Sequence, residues 1–173
     1  MIKLSLPMTQ EQIKSLKAGD AVLISGTIYT ARDAAHKRLT ALIENSQPLP
    51  FAFKGAAIYY AGPCPAKPGQ VFGSCGPTSS YRMNAYAPLL FDLGVQCAIG
   101  KGPMSSEVIE AIKRNSALYF CATGGAGALI TKCVQSVEII AFEDLGAEAI
   151  NKLEVVDMPL IVGIDSHGNN INR

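Results

Sequence analysis

The chain has 173 residues, 49% of them hydrophobic and 17% charged, with a formal net charge of +1 at pH 7. That length suits one domain with a substantial core, and the near-neutral balance gives no electrostatic footprint for nucleic acid or an anionic membrane. Five scattered cysteines, Cys64, Cys75, Cys97, Cys121 and Cys133, form no C-x-x-C pair, which argues against a disulfide framework and against a self-contained zinc or iron–sulfur site. With no signal-peptide pattern and no apolar run near the about 18 residues of a membrane span, the chain reads as soluble and cytoplasmic.

In chain order, Thr9 ahead of Gln12, Ile13 and Leu16 predicts a short helix over residues 7–17, opened by a Thr9–Gln12 capping box. Residues 21–30 are β-branched and apolar but interrupted by Gly26, and read as a strand at the rim of a small β-barrel-like sheet. A helix is expected next, capped by Thr30 or Asp33 and running to about Asn45. Arg32 falls in its first turn, where a cation opposes the helix dipole unless an anion also binds there. His36 reads as packing or capping locally, because no second histidine stands at ligand spacing. Pro48 and Pro50 break the following loop, residues 56–61 form a short buried strand, and residues 62–69 make a rigid proline-rich excursion.

The stretch Gly73-Ser74-Cys75-Gly76-Pro77-Thr78-Ser79-Ser80-Tyr81-Arg82-Met83-Asn84 carries most of the chemistry. Glycines and a proline set up a turn, and three hydroxyl residues stand ready to cap a helix. Arg82, four residues past Thr78, is then expected one turn along on the same face. A hydroxyl and a guanidinium beside a helix N-terminus suit a carboxylate. The spacing of Met83, Tyr86, Leu89, Leu90 and Leu93 extends this helix to Gly94, with Pro88 at a kink or break. Residues 95–100 form an apolar strand that delivers Lys101 into a glycine-flanked turn, a place where α/β proteins put ligand contacts.

Ser105 or Ser106 caps a helix to about Asn115, and residues 117–123 form another strand. Gly124-Gly125-Ala126-Gly127 leads into a helix but lacks the spacing of a phosphate loop. A strand over 134–142, a helical turn over 143–150, extended segments at 152–156 and 159–165, and the turn Ser166–Asn170 complete the chain. Arg32, Arg82 and Lys101 together match the clamp that a small dicarboxylic acid requires. No His/Asp/Ser set, metal-ligand cluster or cofactor fingerprint accompanies them, so the electrophile must come from elsewhere.

The sequence resembles the β subunit, or equivalent C-terminal domain, of class I iron–sulfur fumarases and the related L-tartrate dehydratases. The likeness runs from Gly26-Thr27 and Thr30-Ala31-Arg32-Asp33-Ala34-Ala35-His36-Lys37-Arg38 through Tyr60-Ala61-Gly62-Pro63 to the Thr78–Met83 stretch. It continues through Gly100-Lys101-Gly102, Gly124–Ala128, Leu145-Gly146-Ala147-Glu148-Ala149 and Ile164–Asn170. The resemblance implies an α/β fold, a single swivelling β/β/α domain over residues 1–173. It also implies an α subunit that carries a four-iron, four-sulfur cluster with one open iron, in an α2β2-type assembly when the two parts are separate chains; whether the isolated chain forms a homodimer is left open. Position by position, Thr78 looks like the family's proton-abstracting residue, and Arg32, Arg82 and Lys101 look like its carboxylate clamp. Asn84 and Ser79 depart from a common Asp and a common second Thr, outside the clamp. The implied reaction is reversible dehydration of a 2-hydroxy dicarboxylate such as malate, with the open iron as Lewis acid on the departing hydroxyl. Dehydration of L-tartrate to oxaloacetate and a non-catalytic dicarboxylate-binding or scaffolding role are the alternatives.

Overall fold

The computed structural model describes residues 1–70, 73–122 and 127–172. Strand β1 (Ile2–Ser5) opens the chain, and helix α1 (Gln10–Ser15) follows with the expected reciprocal capping box between Thr9 and Gln12. The long strand β2 (Ala21–Thr30) pairs along one edge with β1 and then with β3 (Ala57–Tyr59), both parallel. Helix α2 (Asp33–Glu44) joins β2 to β3, α3 (Ala87–Asp92) leads from β3 towards β4 (Cys97–Gly100), and α4 (Ser106–Asn115) leads to β5 (Leu118–Cys121). Helix α5 (Gly127–Cys133), β6 (Val134–Ala141), a 3-10 turn at Glu143–Glu148 and β7 (Ile150–Ile164) complete the order.

The expected barrel-like character has a definite form. Strands β2, β3, β4 and β5 run parallel in that order, and β7 pairs antiparallel with both β5 and β2. Five strands therefore close into a ring, with β1 beside β2 and β6 beside β7. Alternation along the strands divides the core in two. Tyr59, Cys97, Ile99, Leu118 and Phe120 join one apolar cluster with Ile13 of α1 and Leu16 just beyond it. Ile58, Tyr60, Ala98 and Tyr119 join the other, with Leu39 of α2, Leu90 and Phe91 of α3, and Val108 and Ile112 of α4.

Several expectations change. The two extended segments at 152–156 and 159–165 are one strand, β7, with a positive φ of 51° at Asp157 where its pairing with β2 shifts register. The Asp157 N–H donates to Ser25 Oγ at 2.9 Å, and a strand of that length can tolerate Pro159 beyond such a bulge. Neither Thr30 nor Asp33 caps α2. Its N-cap is Arg32, without a side-chain bond, and Thr30 Oγ1 instead accepts the Asn151 N–H at 3.0 Å. The continuous helix from Thr78 to Gly94 is absent. A four-residue 3-10 turn, Ser80–Met83, precedes α3, where Pro88 occupies the first turn and its missing N–H removes no helical bond. Residues 71–72 and most of the Gly124–Gly127 run lie outside the described residues.

The C-terminal turn is a structural knot. Asp165, 1% exposed, accepts hydrogen bonds from the N–H groups of Ala18, His167 and Asn169 and from the Asn169 side chain. Burial alone would raise its carboxyl, but these donors outweigh burial and hold it below the usual aspartate range. The ionised form is thus favoured by folding. Its contribution is complete above the ordinary aspartate value near about 3.9 and is lost as pH falls through the lower folded value. Asp165→Asn is expected to cost about 1–3 kcal/mol at neutral pH and to flatten the acid limb of a urea-stability profile. A variant whose stability and acid limb match the parent would contradict this role.

Candidate active site

The parallel strands β2, β3 and β4 all end on one edge of the ring, and the four sequence-predicted site residues are attached there. Arg32 stands two residues past β2. Tyr60, just past β3, accepts the Thr78 N–H on its carbonyl at 2.8 Å. Lys101 follows β4 directly, and Ser79 forms a parallel bridge with it. Arg82 sits in the 3-10 turn and ion-pairs through Nε with Asp33 Oδ2 at 2.8 Å, one residue from Arg32. The edge where parallel strands deliver their C-terminal ends is the usual ligand side of such sheets.

Arg32 is held differently. Its Nε lies 3.9 Å from Glu148 Oε1, beyond hydrogen-bond reach, and has no hydrogen-bond partner among the described residues although the atom is buried. Asp33 Oδ1 is also buried and unpartnered. Such atoms are costly unless something else satisfies them. Arg82 meets Asp33 through Nε, and a guanidinium fork can also take a carboxylate in the bidentate mode. Thr78 is half-buried and Lys101 exposed.

Gly62 sits between Arg32 and the 3-10 turn at Glu143–Glu148. A Cβ there would meet Ala147 O at 2.6 Å and Arg32 Cδ at 2.9 Å. Beside it, Pro63, Cys64 and Pro65 face Ile139, Glu143 and Ala147 across an open cavity of about 740 Å³. Gly62→Ala is expected to push the Arg32 side chain aside and to raise KM for a diacid about tenfold or more, since displacement of a positioning group by an ångström is that costly. An unchanged KM would show that Arg32 has room to spare.

His36 does more than pack. It is fully buried, its ring lies edge-on to Tyr60 at 5.4 Å, and Nδ1 is 2.9 Å from the Arg32 carbonyl. Because a carbonyl only accepts, Nδ1 carries the proton. Burial lowers its pKa to about 4, so the ring is neutral at pH 7. One expectation fails here: no helix begins at Thr78, and Ser79 stands at the N-cap of the 3-10 turn with no side-chain bond. The helix terminus expected beside Thr78 is therefore absent. Ser80, expected from the sequence as a possible helix cap, instead meets the hydroxyl of Tyr119, a residue sequence reasoning passed over, at 2.7 Å.

All five cysteines are free, and among the described residues no group of three His, Cys, Asp or Glu side chains could hold a metal ion. The residues described thus offer no ligand set for an iron–sulfur cluster. None of the described helices is long and apolar enough to cross a membrane.

The structure gives a mixed α/β domain with Arg32, Arg82 and Lys101 attached along one strand edge, and comparison with known proteins narrows its class. The model of the Fumarase C-terminus family matches residues 1–173, and the chain belongs to that family. It is 34% identical over 172 residues to Fumarate hydratase 2 of Leishmania major, covering 98% of this chain and 30% of that protein. Similar identity, 34% over 172 residues, links it to the aerobic class I fumarate hydratase of Escherichia coli (strain K12), with 97% of this chain and 31% of that protein covered. The L(+)-tartrate dehydratase subunit beta of the same strain is 34% identical over 173 residues, with 97% of this chain and 85% of that subunit covered. The chain therefore spans under a third of the length of these two fumarate hydratases and most of the tartrate dehydratase subunit.

Proposed function

We propose that this chain is the β-type part of an iron–sulfur hydro-lyase that reversibly dehydrates a 2-hydroxy dicarboxylate, malate to fumarate being the leading case. The observation that carries the reading is the attachment of Arg32, Thr78, Arg82 and Lys101 to one edge of the ring, tied together through Tyr60, Ser79 and Asp33. In this reading residues 1–173 are one swivelling β/β/α domain, and an α subunit in an α2β2-type complex in the cytoplasm holds the four-iron, four-sulfur cluster. Among the described residues no group of three His, Cys, Asp or Glu side chains could hold that cluster, and this chain's own residues bind the substrate and move its proton.

Arg32, Arg82 and Lys101 bind the two carboxylates. Asp33 fixes Arg82 from behind, so its fork is oriented before substrate arrives, which lowers the entropy lost on binding. Thr78 Oγ then accepts the proton from the carbon next to one carboxylate. Charge builds on that carboxylate as the C–H bond breaks, and Arg82 with Lys101 stabilises it. A threonine hydroxyl is a poor base at neutral pH, and the same cations reduce the cost of its alkoxide-like form.

The test is anaerobic reconstitution with the α subunit, followed by turnover of malate, fumarate and L-tartrate. Turnover of malate and fumarate is the expected result. A complex that turns over L-tartrate in preference supports the second reading, motivated by the equal identity to the tartrate dehydratase subunit. Dicarboxylate binding without turnover beside an active cluster would overturn both and leave a scaffolding subunit.

A further inference from the structure

Ser80 belongs to the hydroxyl run of the site stretch, yet it neither caps a helix nor faces solvent. It is fully buried, and it exchanges two hydrogen bonds with Lys101. The Ser80 N–H donates to the Lys101 carbonyl at 2.9 Å, and the Lys101 N–H donates to Ser80 Oγ at 3.0 Å. The Tyr119 hydroxyl lies 2.7 Å from Ser80 Oγ and 2.9 Å from the Gly102 carbonyl. A phenol has one proton and a carbonyl can only accept. Tyr119 therefore donates to Gly102 and accepts from the Ser80 hydroxyl. The result is one directed chain, Lys101 N–H to Ser80 O–H to Tyr119 O–H to Gly102 C=O, with each of its groups satisfied.

We infer that Ser80 and Tyr119 are positioning residues that fix the backbone of Lys101 relative to the Thr78 loop, an inference that rests on the reading proposed above. Three segments meet in the chain: the loop carrying Thr78 and Arg82, the turn after β4 carrying Lys101, and β5 carrying Tyr119. Lysine has a flexible four-carbon stem, so where its ammonium can reach depends on how firmly its Cα is held. Here both sides of that Cα are tied, at the Lys101 N–H and at the Gly102 carbonyl. Gly100 permits the arrangement, because a Cβ there would lie 1.9 Å from Ser80 Oγ. Burial pushes the Tyr119 phenol well up, so it keeps its proton as a donor at any working pH.

The experiment is a double-mutant cycle in the reconstituted complex. Ser80→Ala and Tyr119→Phe are each expected to lower kcat/KM about tenfold, mainly through KM, the size of one lost hydrogen bond. In a Lys101→Ala background, Ser80→Ala is expected to cost less than about twofold, because the residue through which it acts is gone. Additive losses, or single variants with parental kinetics, would overturn the inference. A parent complex inactive on every diacid would instead remove the functional reading. In that event amide hydrogen exchange on the full chain decides the positioning claim. Ser80→Ala is expected to speed exchange at Lys101 about tenfold while Ile99 is unchanged, and equal protection in parent and variant would refute it.

Discussion

Thr78→Ala in the reconstituted complex is expected to lower kcat by a factor of about 100 to 10,000, the usual worth of a positioned acid–base group. Substrate affinity should hold, because the three cations are untouched. The backbone should hold as well, since the loop is anchored by the Thr78 N–H to the Tyr60 carbonyl and by the Ser79–Lys101 bridge, neither of which uses the Thr78 side chain. Steady-state kinetics together with a dissociation constant for a non-reacting diacid separates the two effects. Near-normal turnover would remove Thr78 as the base, and lost binding with parental kcat would move it into the clamp.

Gly100→Ala is expected to have the largest combined effect on stability and activity. The new methyl would sit 1.9 Å from Ser80 Oγ and 2.9 Å from the Tyr60 ring. The Ser80 hydroxyl could rotate away only by abandoning Lys101 and Tyr119, and Tyr60 is walled in by the core and His36. A destabilisation of about 1–3 kcal/mol follows from overpacking of this kind, accompanied by loss of turnover. Denaturant unfolding and reconstituted activity measure both. Adding Ser80→Gly should recover part of the stability but not the activity. A parental midpoint for Gly100→Ala would mean that the β4 turn yields more than its contacts indicate.

Local chemistry made much of this fold readable. The Thr9–Gln12 box needs only four residues, and the alternating run of β2 and the short continuous apolar runs of β3, β4 and β5 announce buried strands whatever lies beside them. What stayed hidden is non-local. Ring closure depends on β7 meeting β5, about forty residues back in the chain, and β2, more than a hundred residues back, and no local spacing encodes either pairing. The β7 strand was divided in expectation because Asp157 and Pro159 look like breakers, whereas the bulge absorbs both. The first strand went unread because Ile2–Ser5 is short and mostly exposed, with one buried residue.

The candidate site was legible as residue types and misjudged in its local geometry. Helical spacing after Met83 extended a helix back over Thr78, while Pro88 in fact begins a separate one. That misreading placed Thr78 and Arg82 on a common face for the wrong reason. What links them is the C-terminal edge of β2, β3 and β4 together with the Arg82–Asp33 pair. The hydroxyl run marks Ser80 only as a helix cap and nothing marks Tyr119, since a buried serine meets these partners only through the pairing of β4 with β5.

The central claim is that this chain contributes the carboxylate-binding half of a site completed by another polypeptide. A crystal structure of the reconstituted complex with a bound dicarboxylate tests it most directly. Carboxylate oxygens are expected within hydrogen-bond distance of Arg32, Arg82 and Lys101, with Thr78 Oγ facing the carbon that loses its proton. A diacid seated away from the C-terminal edge of β2, β3 and β4, with these four side chains in solvent, would contradict it.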